Sequence, residues 1–594
     1  MTTQNMSPFD PDYRQALREP LLTADSLIDV NGRPCISLDG AWKFHIDPYD
    51  SHRRRAASNP RYFELLGQRD DEALRNRRTD FPAGAWETID VPGCWNVEHA
   101  DLLYYEGSAL YLKEFDGPPA GARRFLHIGA ANYEASLWLN GMYLGRHEGG
   151  FTPFCVDVTD QLQPRNTLVI VVDNRRERYQ VPGLWYDWFN YGGITRSVRL
   201  VEAPPSHIRH TFLRLLPNSS YRRLRLDAET TASPGENVTL RIPALRVEQR
   251  ASVDDKGRAS MEFDAEPELW SPEKPHLYEV EVALESGDRL EDSVGFREIR
   301  VDGEKLFLNG RPLFLHGISA HEEFPGRGRA AREEDTRGML EEARALGCNF
   351  VRLAHYPHHE NAARLADRMG MLLWEEIPVY WHLDFANPAV LANARNQMRE
   401  MILRDRNRAS VAIWSVGNET MGAPERTPFL SALADATRDL DSTRPVSAAL
   451  LPFPGDPLTP SLDILSVNEY FGWYYGEPDK VDGLLTTLAS SGKPLLVSEF
   501  GADCAAGLHG AAEDIRTEES QVDFYARQFE SILRVPSVIG TSPWVLYDFR
   551  APLRQNAFQR GYNRKGLVAD DHRTRKMAFE TVRKLYGRLA ARPD

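Results

Sequence analysis

The order of patterns along 594 residues predicts a multidomain fold: an N-terminal jelly-roll β-sandwich over 1–203, an immunoglobulin-like β-sandwich over 204–299, and a C-terminal (β/α)8 TIM barrel over 300–594. Three observations carry that prediction. Short alternating segments punctuated by Gly, Asn and Pro fill the first part of the chain without a long helical pattern. A second stretch of the same kind follows the Ala203-Pro204-Pro205 break. From Arg300 onward the rhythm changes to apolar strand, then amphipathic helix, repeated to the C-terminus.

In the first domain the strand candidates are Trp42-Lys43-Phe44, Ile89-Asp90-Val91, Phe125-Leu126-His127-Ile128, Ser136-Leu137-Trp138-Leu139, 168–172 and Ser197-Val198-Arg199-Leu200-Val201. The charged stretch 51–80, around Phe63-Glu64-Leu65-Leu66, reads as a surface insertion with one helix, its charges a solvated face. In the second domain 238–242 and 278–282 alternate as strands do, and Trp270-Ser271-Pro272 is a turn whose aromatic packs rather than binds. The barrel opens on Leu313-Phe314-Leu315 and helix 336–346, continues with Phe350-Val351-Arg352 and helix 360–369, then Leu372-Leu373-Trp374 and helix 389–404.

Composition bounds the partners. With 42% hydrophobic and 26% charged residues and no apolar run of bilayer-spanning length, the chain is a large globular protein. The N-terminus lacks a basic start followed by an apolar stretch, so the expectation is a cytoplasmic location. A net charge of -15 disfavours nucleic acid and anionic membranes, yet leaves room for a small anionic substrate in a locally cationic pocket. Five scattered cysteines without CxxC or Cys/His spacing point to buried thiols, with neither disulfides nor zinc, and no metal or cofactor is expected.

Two carboxylates stand out. The run 405–420, DRNRASVAIWSVGNET, places Glu419 just past a β-branched strand centred on Val411-Ala412-Ile413-Trp414, with Asn418 before it. Pro494-Leu495-Leu496-Val497-Ser498 delivers Glu499 in the same manner. In a (β/α)8 barrel the carboxyl ends of the strands face one mouth, so two strand-end glutamates can converge there. Glycoside hydrolysis needs such a pair, one to protonate the leaving oxygen and one to attack or to activate water. Arg352, also at a strand tip, is a candidate donor to an ionised glutamate and equally a candidate for an ion pair inside the barrel.

These segments resemble glycoside hydrolase family 2, which includes β-galactosidases, β-mannosidases and β-glucuronidases. The resemblance runs through Asn349-Phe350-Val351-Arg352-Leu353-Ala354-His355-Tyr356-Pro357, the run 405–419, Phe314-Leu315-His316-Gly317, His321-Glu322, Ser498-Glu499-Phe500-Gly501 and 183–197. It implies a retaining double displacement, with Glu419 as general acid/base and Glu499 as nucleophile, and Asn418 on the sugar 2-hydroxyl. It implies further that the protein forms a homo-oligomer, and His355 and His321 are read as pocket hydrogen-bonders rather than metal ligands.

The choice of sugar rests on Gly561-Tyr562-Asn563-Arg564-Lys565-Gly566, which matches the Asn-x-Lys motif gripping the sugar carboxylate in the family's glucuronidases. An amide and an ammonium two residues apart can converge on one carboxylate. By the same resemblance Tyr470 and Tyr474, within 468–474, line the pocket with Trp544, and Asp187 of the first domain reaches the sugar hydroxyls. The substrate expected is a glucuronide or a glucuronate-terminated carbohydrate. One position departs from the family: its arginine ahead of Asn-x-Lys falls on Gln559, with Arg560 one residue later. The competing readings are a β-galacturonidase, which differs at the 4-hydroxyl, a β-galactosidase, for which Lys565 has no use, and a non-catalytic carbohydrate-binding protein, which has no reason to keep both glutamates. The short segment between Pro378 and the following helix predicts an open mouth.

Overall fold

The computed structural model describes residues 17, 19–58, 63, 86–119 and 121–590. The predicted fold class holds: two antiparallel β-sandwiches precede a closed eight-stranded parallel barrel. The first sandwich packs a six-stranded sheet, with Ser108–Asp116 and Arg165–Asp173 at its centre, on a four-stranded one. Its core is built from inward residues such as Trp42, Phe44, Tyr111, Leu137 and Ile170. Within 51–80 a helix forms over Ser51–Ser58 and the Phe63 ring packs tilted against Trp138, while the remainder of that predicted insertion lies outside the described residues. The second sandwich faces three strands against four around an apolar core free of cysteine.

The barrel strands are β1 (Leu315–Ala320), β2 (Phe350–Leu353), β3 (Leu372–Glu376), β4 (Val411–Asn418), β5 (Val446–Leu450), β6 (Leu465–Asn468), β7 (Leu495–Glu499) and β8 (Val538–Thr541). Every residue in them is buried, as parallel strands covered by helices must be. Two strands differ from the reading of the apolar runs. β1 starts at Leu315 and continues through His316, Gly317 and Ser319, and β4 runs on to Asn418. Polar residues belong to these strands because the barrel interior satisfies them; Ser319, for example, shares a 2.9 Å hydrogen bond with the Ser542 hydroxyl. The first barrel helix begins at Glu333, earlier than its apolar periodicity, because Asp335 turns back to accept from the Arg332 N–H at 2.9 Å.

Several motif residues serve domain docking. Asn407 accepts from the Leu213 N–H at 3.0 Å, and Arg408 donates to the Ser293 carbonyl at 3.0 Å and to Asp367 at 3.3 Å, clamping the second sandwich to the barrel floor. They follow the helix Pro388–Asp405 rather than extend it. Trp270 packs as expected, fully buried, with Nε1 donating to the Asp367 carbonyl at 2.8 Å. The first sandwich is held by Arg196, which donates to the Pro357 carbonyl at 2.9 Å and to Glu322 at 3.2 Å. A buried knot around Glu400 adds to this, with Thr152 Oγ donating at 2.6 Å, Asn396 Nδ2 at 2.8 Å and His147 Nε2 at 3.1 Å. This docking carries the loop bearing Asp187 to the barrel mouth.

The buried-thiol expectation needs one correction. Cys94, Cys155, Cys348 and Cys504 are buried, but Cys35 is exposed because its short strand Cys35–Ser37 lies at a sheet edge. Among the described residues no helix is long and apolar enough to cross a membrane.

Candidate active site

A cavity of about 730 Å³ opens at the carboxyl ends of the barrel strands. Glu419 and Glu499 both line it, together with Asp187, His355, Tyr470, Tyr474 and Trp544. Glu499 closes β7, which runs beside β6 in register Asn468↔Glu499, so the residues around Asn468 reach both glutamates. Glu419 follows β4 with φ of 45°, a left-handed conformation uncommon for a side-chain-bearing residue. Trp381, in the loop after β3, has φ of 50°, and its Nε1 donates to Glu419 Oε2 at 2.9 Å. Two strained residues thus meet at one hydrogen bond, a sign that the surrounding fold dictates their geometry.

The two glutamates have different partners. Glu419 accepts from Trp381 Nε1 and from Asn468 Nδ2, the latter at 3.1 Å. Glu499 accepts from Arg352 Nη1 at 2.6 Å and from the Tyr470 hydroxyl at 2.9 Å. Arg352 is fully buried and also donates to Glu376 at 2.9 Å and to Asn418 Oδ1 at 2.7 Å. Both roles foreseen for Arg352 are therefore filled by one guanidinium, whose five N–H groups can serve several acceptors.

Burial pushes the Glu499 carboxyl up to about 8; Glu419 acts in the same direction, while Arg352 and the Tyr470 hydroxyl act downward. Burial likewise raises Tyr470, with Glu499 adding to it, so the phenol keeps its proton and remains a donor. The His355 imidazole is lowered to about 4 by burial, partly offset by Glu376, and Nδ1 of the neutral ring donates to Glu376 at 2.9 Å. Although burial acts upward on Glu376, Arg352 and His355 hold it below its ordinary value. The Trp544 indole stacks on the His355 ring, their centroids 4.8 Å apart.

Asn418, Asn563 and Lys565 are not among the residues that line the cavity, but Lys565 bonds to Tyr474, which is. Asn418 is buried with its Oδ1 taken by Arg352 and Asn468, while its Nδ2 has no partner. Asn563 Nδ2 is likewise buried and unpartnered. A buried amide left without an acceptor is costly. Lys565 is 1% exposed; its Nζ donates to the Tyr474 hydroxyl at 2.8 Å and lies 3.6 Å from Asp503. Rings of Tyr470, Trp473 and Tyr474 surround the ammonium at 4.8 to 5.7 Å.

Some expectations are corrected. His321 does not line the cavity: it is buried against Phe549 and Trp544, with Nδ1 3.1 Å from the Tyr356 hydroxyl, and packs instead. Gln559 donates to Asp503 at 2.8 Å, and Arg560 is exposed with Nε on the Ala557 carbonyl, so neither faces the cavity. Asp187 does reach the mouth but is already paired, with Arg554 Nε donating to it at 2.9 and 3.1 Å. Sequence reasoning missed Arg554, Trp381 and Glu376. Asn468 was within a recognised stretch and could have been found, whereas no pattern distinguishes Arg554 among 71 basic residues.

The comparisons with known proteins agree on one family. Residues 299–591 match the model "Glycosyl hydrolases family 2, TIM barrel domain", and 206–297 match "Glycosyl hydrolases family 2". A β-glucuronidase of Paenibacillus borealis is 27% identical, covering 95% of this chain and 99% of that protein. The human β-glucuronidase is also 27% identical, over 94% and 91%. Among solved structures, the Bifidobacterium dentium β-glucuronidase complexed with coumarin-3-O-glucuronide superposes with a TM-score of 0.83 at 26% identity, covering 96% of this chain and 98% of that one. A family 2 β-galacturonidase from Eisenbergiella tayi, bound to galacturonate, superposes with 0.80 at 26%, over 96% and 99%.

Proposed function

The chain belongs to glycosyl hydrolase family 2, and on that premise we propose that it hydrolyses terminal β-D-glucuronides by a double displacement that retains the anomeric configuration. The observation that carries this reading is the unlike pair in one cavity: Glu499 is held by a guanidinium and a phenol, Glu419 by an indole and an amide. Glu499 attacks the anomeric carbon. Glu419 protonates the departing oxygen and then takes a proton from water in the second step. Arg352 stabilises the ionised Glu499, and the unpartnered Asn418 Nδ2 donates to the sugar 2-hydroxyl, a bond that strengthens as charge develops. Asn563 Nδ2 and Lys565 Nζ support a carboxylate at the sugar's C5.

A second reading, β-galacturonidase, is favoured by the likeness to the Eisenbergiella tayi enzyme at the same 26% identity. Both sugars carry the carboxylate and differ only in the 4-hydroxyl. Initial rates on aryl β-glucuronide, galacturonide, galactoside and glucoside separate the readings: the glucuronide is expected to have the highest kcat/KM. Preference for a neutral glycoside would defeat both uronidase readings. Following the anomeric proton of the first-formed product by NMR tests retention, and an α-product would exclude it.

The pH dependence follows from Glu499. The carboxyl must be ionised to attack, and burial raises its folded-state value, so kcat/KM falls as pH drops through a limb displaced upward from the ordinary carboxylate range. Tyr470→Phe removes a donor to the ionised form and is expected to move that limb to higher pH. An unmoved or lowered limb in the pH profile would count against the assignment.

The mouth supports the open-access expectation. The loop between β3 and the helix Pro388–Asp405 is short, and Met421, Phe453 and Tyr475 stand exposed on the cavity lining. Glucuronate-terminated oligosaccharides are expected to be turned over with higher kcat/KM than small aryl glucuronides. Equal or lower values would contradict this.

A further inference from the structure

A small cavity of about 20 Å³ lies where the second sandwich meets the barrel floor, near the amino ends of β4 and β5, and four arginines line it: Arg214, Arg297, Arg406 and Arg444. Asn407 and Thr443 complete its polar wall, and among the described residues no carboxylate joins them there. In a chain of net charge -15 such a gathering of cations demands a counter-charge.

Two of the four cations are paired. Arg214 meets Asp227 at 2.6 Å, and Arg444 Nη1 donates to Asp441. The other two are not. Arg297 is 7% exposed, and its guanidinium donates only to carbonyls, Nε to Ala409 at 3.1 Å and Nη2 to Val411 at 2.7 Å. The Val411 carbonyl accepts from Arg444 Nε as well, at 2.8 Å, so two guanidinium groups crowd one neutral oxygen. Arg406 rests on the Phe212 ring, 5.0 Å from its centroid, with Arg214 on the same ring at 4.3 Å. Its Nε is buried and has no acceptor. Glu229 and Asp441 act on Arg406 through space, without an ion pair. Burial and the neighbouring Arg444 push the Arg297 guanidinium down to about 9, and burial pushes Arg406 down to about 10. Both shifts mark a charge taken out of water without an adequate partner.

We infer that this cavity is a binding site for a small inorganic anion of chloride size, which supplies the charge that Arg297 and Arg406 lack and ties the second sandwich to the barrel. The volume admits one particle about as large as a water molecule and is too small for a phosphate. A water molecule can accept from the orphan donor but leaves both cations uncompensated, whereas one anion answers both. Guanidinium is more weakly hydrated than ammonium, so it exchanges water for such an ion at lower cost. The site lies at the opposite end of β4 from Glu419, so the anion acts on the docking of the domains and not on the glycosidic chemistry.

Thermal unfolding of the full chain in sodium chloride, compared with sodium methanesulfonate at equal ionic strength, separates ion binding from screening, because methanesulfonate is too large for the cavity. The wild-type midpoint is expected to rise by roughly 1 to 3 °C in chloride and to saturate, with bromide acting alike. Arg406→Gln removes one of the two unpaired charges at a half-buried position and strands no protein acceptor, so the variant should fold and its midpoint should no longer respond to chloride. Equal wild-type midpoints in the two salts would overturn the inference, and so would an undiminished chloride response in the variant. A wild-type crystal soaked in bromide provides a readout that needs no substitution: an anomalous peak among the four arginines is expected, and an empty cavity at a bromide concentration that saturates the thermal shift overturns the inference as well.

Discussion

Replacing Glu499 by alanine is expected to lower turnover of aryl β-glucuronides by roughly 10⁴- to 10⁶-fold, the scale seen when a covalent nucleophile is removed. The loss should be chemical rather than structural. Arg352 keeps Glu376 at 2.9 Å when Glu499 is truncated, so its buried charge is not left unpaired, and the thermal midpoint should change little. Azide distinguishes the two glutamates. In Glu499→Ala it can attack only from the face the carboxylate occupied, giving an α-glycosyl azide and no β-configured product. In Glu419→Ala the glycosyl-enzyme still forms on substrates whose leaving group needs no proton, so such substrates retain turnover and azide yields the β-product. Near wild-type rate in Glu499→Ala, or a β-azide from it, would reverse or remove the assignment.

The second large effect is expected at Lys565. A carboxylate taken into a partly dry pocket loses hydration worth several kcal/mol, which only a charged, hydrogen-bonding partner offsets. A hydrogen bond to a charged group contributes about 1.5 to 3 kcal/mol, and a stranded carboxylate costs more, so Lys565→Ala should reduce kcat/KM on glucuronides by roughly 10²- to 10⁴-fold. The glucoside, with CH₂OH at that carbon, should lose far less. Asn563→Ala should shift the same ratio in the same direction by a smaller amount, since it removes a neutral donor. Because Lys565 is also enclosed by three aromatic rings, Lys565→Met provides a control that keeps the packed stem. Equal losses on both sugars in the methionine variant would mean that the ammonium serves the aromatic wall and Asp503, not the substrate, and the sugar would then be neutral.

The structure adds a geometric condition to that prediction. Lys565 lies behind Tyr474, so the carboxylate reaches it only where the phenol shares or leaves its position. Tyr474 was legible as a pocket residue; its part as the group covering the cation was not. The same holds for Asp187, whose reach across the domain interface was expected and whose ion pair with Arg554 was not. In each case residue identity pointed to the site, and the contact came from an element distant in the chain.

Local sequence determined what depends on neighbours along the chain. Strand and helix alternation, the apolar runs that place Glu419 and Glu499 at strand ends, and the Asn563–Lys565 spacing are all short-range patterns, because the periodicity of burial is written residue by residue. Even there, the ends of β1 and β4 were missed, since His316, Gly317, Ser415 and Gly417 look like loop residues until a closed barrel satisfies their polar groups. Tertiary structure decided which partners meet, and of these only Arg352 was foreseen, as one of two roles at its strand tip. Trp381 meets Glu419 from 38 residues away, Arg352 meets Glu499 from 147, and Arg554 meets Asp187 from 367. No local pattern encodes such pairs, because hydrogen bonds and charge coupling act through distance in space, and the closing of the barrel and the docking of the first sandwich create those distances.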